Sequence, residues 1–73
     1  MKVKVANNMY QMNRKEFQRL LKLASEQIPF GIYAIEKNDY AELMRERCES
    51  RSQFKQLRRN LKARGFKVYA NGV

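Results

Sequence analysis

The chain has 73 residues, 16 Lys or Arg against seven Asp or Glu, no histidine and a formal net charge of +9. That length holds one domain with a modest core. One cysteine excludes an internal disulfide, and one cysteine without histidine excludes a zinc cage of the usual Cys/His type.

The charge is unevenly spread. Residues 1–49 hold nine basic and all seven acidic side chains, whereas residues 50–73 hold Arg51, Lys55, Arg58, Arg59, Lys62, Arg64 and Lys67 and no acid. Such a directional positive field favours polyanions. Hydrophobic residues are 44% and charged residues 32%, which argues for a folded chain rather than a disordered one. The longest apolar run, Gly31–Ile35, is far too short to span a bilayer, and Met1-Lys2-Val3-Lys4-Val5 is not followed by the apolar core of a signal peptide. Cys48 reads as a small apolar filler. These features predict a cytoplasmic protein with no membrane partner.

In chain order, Val3 and Val5 alternate with Lys2 and Lys4, the period of a half-buried strand. Asn7-Asn8 predicts a tight turn into a second short strand, Met9–Met12. Asn13 is an N-cap residue with Glu16 three positions on, a capping box. Phe17, Leu20, Leu21, Ala24 and Ile28 then form one helix face, with Lys15, Arg19, Lys22 and Glu26 on the other, until Pro29 stops the helix.

Residues 30–37 are rich in strand formers, and Asn38-Asp39 predicts a two-residue turn pairing Lys37 with Tyr40. The partner strand runs from Tyr40 to about Cys48. Residues 40–64 also read as one long helix, because Asp39-x-x-Glu42 is a capping box and the following residues favour helix. The hairpin is preferred, since Ser50-x-x-Gln53 is a fresh helix start and strand 30–37 otherwise lacks a neighbour. A second helix runs from about Arg51 to Arg64, with Phe54, Leu57 and Leu61 inward and Gly65 in the left-handed C′ position. Phe66, Val68 and Ala70 alternate with Lys67 and Tyr69 as a last strand, and Asn71-Gly72 reads as a turn or tail.

The order β(β)αββαβ predicts an α+β domain: a small antiparallel sheet with two helices on one face, the ferredoxin-like or split βαβ arrangement. Phe30, Ile32, Ala34, Ala41 and Leu43 are expected under the helices. Tyr33, Ile35, Lys37, Tyr40, Glu42, Met44, Glu46, Lys67 and Tyr69 are expected on the open face.

At about 100° per residue, Arg51, Lys55, Arg58 and Lys62 fall on one side of the second helix, bordered by Arg59. Such a ridge can lie along a phosphate backbone. The bland reading is a solvated face partly paired with Glu42, Glu46 or Glu49. Tyr33, Tyr69, Lys37 and Lys67 form a secondary surface, since exposed tyrosines near lysines stack unpaired bases. Element order and aromatic placement here resemble an RNA-recognition motif. That family's aromatic-rich signature is absent from Tyr40–Cys48, and Gly31-Ile32-Tyr33-Ala34 sits one strand too early, so membership is not assigned.

Catalysis has little footing. Ser25, Ser50 and Ser52 have no base beside them, the carboxylates are scattered, no glycine loop cradles phosphate, and a metal-dependent nuclease on Glu36, Asp39 and Glu42 lacks support. The sequence therefore predicts a small non-enzymatic nucleic-acid-binding accessory protein without cofactor or metal. The alternative is an interaction module, an inhibitor or adaptor of phage or mobile-element style, docking on an acidic protein surface. A homodimer is compatible with either.

Overall fold

The computed structural model describes residues 1–72. The chain forms β1 (Lys2–Val5), β2 (Asn8–Gln11), α1 (Arg14–Gln27), β3 (Gly31–Lys37), β4 (Tyr40–Arg47), α2 (Arg51–Ala63) and β5 (Lys67–Asn71). It is an α+β fold with two helices and one five-stranded sheet, ordered β2-β1-β4-β3-β5.

Local signals account for most element boundaries. Asn13 caps α1 with the reciprocal capping box: the Asn13 side chain accepts from the Glu16 amide, and the Glu16 side chain accepts from the Asn13 backbone N–H. The helix ends before Pro29. Ser50 caps α2 by accepting from the Gln53 amide, while the Gln53 side chain accepts from Glu49, one residue further back than a capping box requires. Gly65, at φ 90°, closes α2 as a Schellman motif, with Gly65 N–H donating to the Lys62 carbonyl and Phe66 N–H to that of Leu61. The 30–47 segment is the hairpin, with Lys37 opposite Tyr40 and Asn38 at φ 57° in the turn.

Three expectations are corrected. First, the N-terminal turn is Ala6-Asn7 rather than Asn7-Asn8, so Val5 pairs with Asn8, and the second strand is Asn8–Gln11 rather than Met9–Met12. Ala6 takes the positive φ, 56°, that asparagine was expected to supply. Second, the sheet is mixed rather than antiparallel, because β1 runs parallel to β4, with Val3 beside Ala41. β3 lies between β4 and β5 as in one split βαβ unit, but β1 and β3 run antiparallel on either side of β4, so β1–α1–β3 is not a second one and the ferredoxin-like arrangement is not formed.

Third, the helices lie on opposite faces of the sheet. Phe54 and Leu61 of α2 pack with Ile32, Ile35 and Cys48, joined by Met44, Val68 and Ala70. Phe17 of α1 packs with Val3 and Ala41, joined by Leu21, Leu43 and Tyr69. The two sets alternate along β4 and β5. On β3 an irregularity in pairing between Ile32 and Ala34 shifts the alternation, so Ile32 and Ile35 share the α2 face while Ala34 joins the α1 face. A strand buried on both faces carries a continuous apolar run instead of a one-sided alternation, which is what Gly31–Ile35 does. The single inward set expected from Phe30 to Leu43 is thus divided between two cores.

Asn71 is also more than a tail. Its side-chain amide donates to the Ser25 and Ile28 carbonyls at 2.8 and 3.0 Å, tying β5 to the last turn of α1.

Candidate nucleic-acid interface

The basic ridge of α2 exists as a surface. Phe54 and Leu61 face the sheet, which turns Arg51, Lys55, Arg58, Arg59 and Lys62 to solvent, and all five are exposed. Lys55, Arg58, Arg59, Lys62 and Ala63 alone wall a shallow depression on the helix flank, with no sheet residue in it. None of the five is in a salt bridge among the described residues, where the pairs are Arg14–Glu36 and the N-terminal ammonium with Asp39. Pairing with Glu42, Glu46 or Glu49, the partial neutralisation expected of a solvated face, is not formed among the described residues. Arg58 lies over the Phe54 ring, its guanidinium carbon 5.3 Å from the centroid, which orients it without neutralising it.

The secondary surface is not a single surface. Lys37 is on the α2 side, where its ammonium donates to the Arg64 carbonyl at 3.0 Å and sits 5.6 Å from the Phe66 ring centroid. It thus satisfies a carbonyl at the end of α2 and supplies charge there, complementing the helix dipole. Tyr33, Tyr69 and Lys67 are on the α1 side. Tyr69 packs edge-on against Phe17, 6.1 Å between ring centroids, and Tyr33 is 6.4 Å from Tyr69. The Tyr69 hydroxyl donates to Glu36, and the Lys67 ammonium lies 5.1 Å from the Tyr69 centroid. Both rings are only partly exposed. The open tyrosine face expected from the strand alternation is covered by α1.

The charges under α1 are strongly coupled. Two hydrogen bonds from Arg14 hold the Glu36 carboxyl down at about 2, with help from Tyr69 and Lys67, while the Arg14 guanidinium is pushed further up. Burial, then the bond to Glu36, raises the Tyr69 phenol. Burial also raises the Cys48 thiol, away from the range of a reactive thiolate. No three His, Cys, Asp or Glu side chains converge on a metal position among the described residues, and no described helix is long and apolar enough to cross a membrane.

Two features were missed. An apolar groove of about 410 Å³ separates α1 from the sheet, lined in part by Val5, Leu20, Leu23, Leu43 and Arg45, with Leu23 57% exposed. The signal for it was Leu23, the one leucine off the α1 stripe. The other is Lys15, Arg19 and Lys22, exposed along the outer side of α1. Their spacing was legible, but with both helices expected on one face they did not read as a second surface.

Comparison with protein-family models, with curated proteins and with solved structures finds no match for this chain.

Proposed function

We propose that this protein binds nucleic acid through the α2 ridge, by contacts to the phosphate backbone. The observation that carries the reading is the set of five exposed, unpaired cations on one flank of a helix capped at both ends. Their axial spacing, about 1.5 Å per residue, spreads them over about 16 Å, the length of several phosphate steps. Like charges at i, i+4 cost the helix a few tenths of a kcal/mol each, a cost that phosphate neutralisation offsets. Because Tyr33 and Tyr69 face the other side of the sheet and are engaged there, the ridge has no stacking partner beside it, which favours sequence-independent backbone binding over readout of unpaired bases.

The test is fluorescence anisotropy with labelled duplex and single-stranded oligonucleotides over a salt series from about 50 to 300 mM. With up to five contacts, the logarithmic salt slope for duplex DNA is expected at about −4 to −5, and Arg58→Gln with Arg59→Gln should reduce it by about two. Absence of binding at the low-salt end overturns the proposal, since attraction is strongest there.

A further inference from the structure

The placement of the two helices on opposite faces has a consequence for binding. Phe17 anchors α1 into the sheet. Measured around the helix from Phe17, Lys22, Lys15 and Arg19 fall at roughly 140°, 160° and 200°, so they point straight away from the sheet. All three are exposed, none is in a salt bridge among the described residues, and they repeat at i, i+4 and i+7. Only Glu26, at i+11, interrupts the stripe. The α2 ridge lies on the flank of the helix that covers the other face. The molecule therefore presents two basic surfaces on either side of the sheet that face different directions, and a rigid duplex laid along one does not lie along the other.

We infer that one copy of the protein carries two separate phosphate-binding faces, the α2 ridge and the Lys15–Arg19–Lys22 stripe of α1, and bridges two duplex segments. The inference rests on the α2 reading, because the second face adds a partner to the first. The faces are unequal. Three contacts release fewer counterions than five, so the α1 face binds more weakly and fills second, and its salt slope, about −2.7, is shallower than the about −4 to −5 of the ridge. Repulsion between two bound duplexes does not prevent bridging. Even the shortest principal extent of the molecule, 20 Å, exceeds the Debye length of about 10 Å at 0.1 M salt.

The experiment is a sandwich capture. A biotinylated duplex DNA of about 20 base pairs is immobilised, loaded with protein, washed, and offered a second, fluorescent duplex at about 50 mM salt. Binding of protein to the first duplex is read separately by mass on the surface. The full chain should capture the second duplex. The variant Lys15→Gln/Arg19→Gln/Lys22→Gln, with its fold checked by thermal melting, should lose capture by at least about tenfold while its binding to the first duplex stays within about threefold. Charge-preserving Lys15→Arg/Lys22→Arg should keep capture. Protein bound to the first duplex with no capture overturns the inference and leaves the ridge reading standing. Capture that survives the α1 variant overturns it too, because two associated copies would then be bridging through their α2 ridges. No protein on the first duplex removes the ridge reading and this one with it.

Discussion

The hydroxyl of Tyr69 donates to the Glu36 carboxylate at 2.7 Å, and the same carboxylate receives two hydrogen bonds from Arg14, at 3.0 and 2.6 Å. One acid on β3 thereby holds together the first turn of α1 and the middle of β5. Tyr69→Phe keeps the ring against Phe17 but deletes a hydrogen bond to a charged acceptor, which is worth about 1–2 kcal/mol. For a domain of this size the melting temperature should fall by roughly 4–8 °C per kcal/mol. Affinity for duplex should not change, because Tyr69 packs against Phe17 between α1 and the sheet, away from both the α2 ridge and the outward stripe of α1. A loss of binding in a variant that stays folded would return Tyr69 to the binding surface.

The same carboxylate sets an acid limit on stability. Its folded-state pKa of about 2 is below the ordinary 4.5, so its contribution is fully present above pH 4.5 and is lost as pH falls toward 2. Arg14 is half exposed, and screening trims the contribution to about 1–2 kcal/mol. Urea melts at pH 7 and pH 2.5 should show a stability difference that shrinks by this amount in Glu36→Gln. An identical pH dependence in the variant would mean that other carboxylates set the limit.

Ala6 occupies the turn between β1 and β2 at φ 56°, a region that costs an L-residue with a side chain roughly 1–2 kcal/mol. Glycine adopts it freely and loses more entropy on folding, so Ala6→Gly should stabilise by a net of up to about 1 kcal/mol. The prediction is checked by the shift in urea midpoint at constant m-value. A fall in midpoint would mean that the turn relaxes away from this geometry in solution.

What the sequence made legible follows the range of the interactions involved. Asn13 with Glu16, Ser50, Asn38-Asp39 and Gly65 act within a few residues, and the elements they bound stand almost where they were expected. The distribution of elements over the sheet depends on contacts between distant segments. Period-2 patterning divides a strand into two sides but does not say that both are covered, and in β3 the irregularity between Ile32 and Ala34 breaks the period itself. Tyr33 and Tyr69 were assigned to an open face for that reason. The α2 ridge was legible because a helix carries its own angular frame: once Phe54 and Leu61 point inward, Arg51, Lys55, Arg58, Arg59 and Lys62 must point out, whichever face the helix covers. The missing partner for those charges was not legible, since Glu42, Glu46 and Glu49 could have paired with them in another packing.

That missing partner makes stability and binding separable at one position. Lys55 sits four residues after Arg51 and four before Arg59, so it takes part in two like-charge i, i+4 pairs on an exposed helix face. Lys55→Glu converts both into attractive pairs and should stabilise the fold by about 0.5–1 kcal/mol. If the ridge holds phosphates, the same change places a negative charge in the middle of it, and duplex affinity at about 100 mM salt should drop by at least tenfold, with the salt slope reduced by one or more. Melting and anisotropy on the same sample separate the possibilities. Gain in stability with loss of binding is the outcome expected of a helix whose charge pattern serves a ligand. Gain in stability with unchanged binding would make the ridge a solvated face after all.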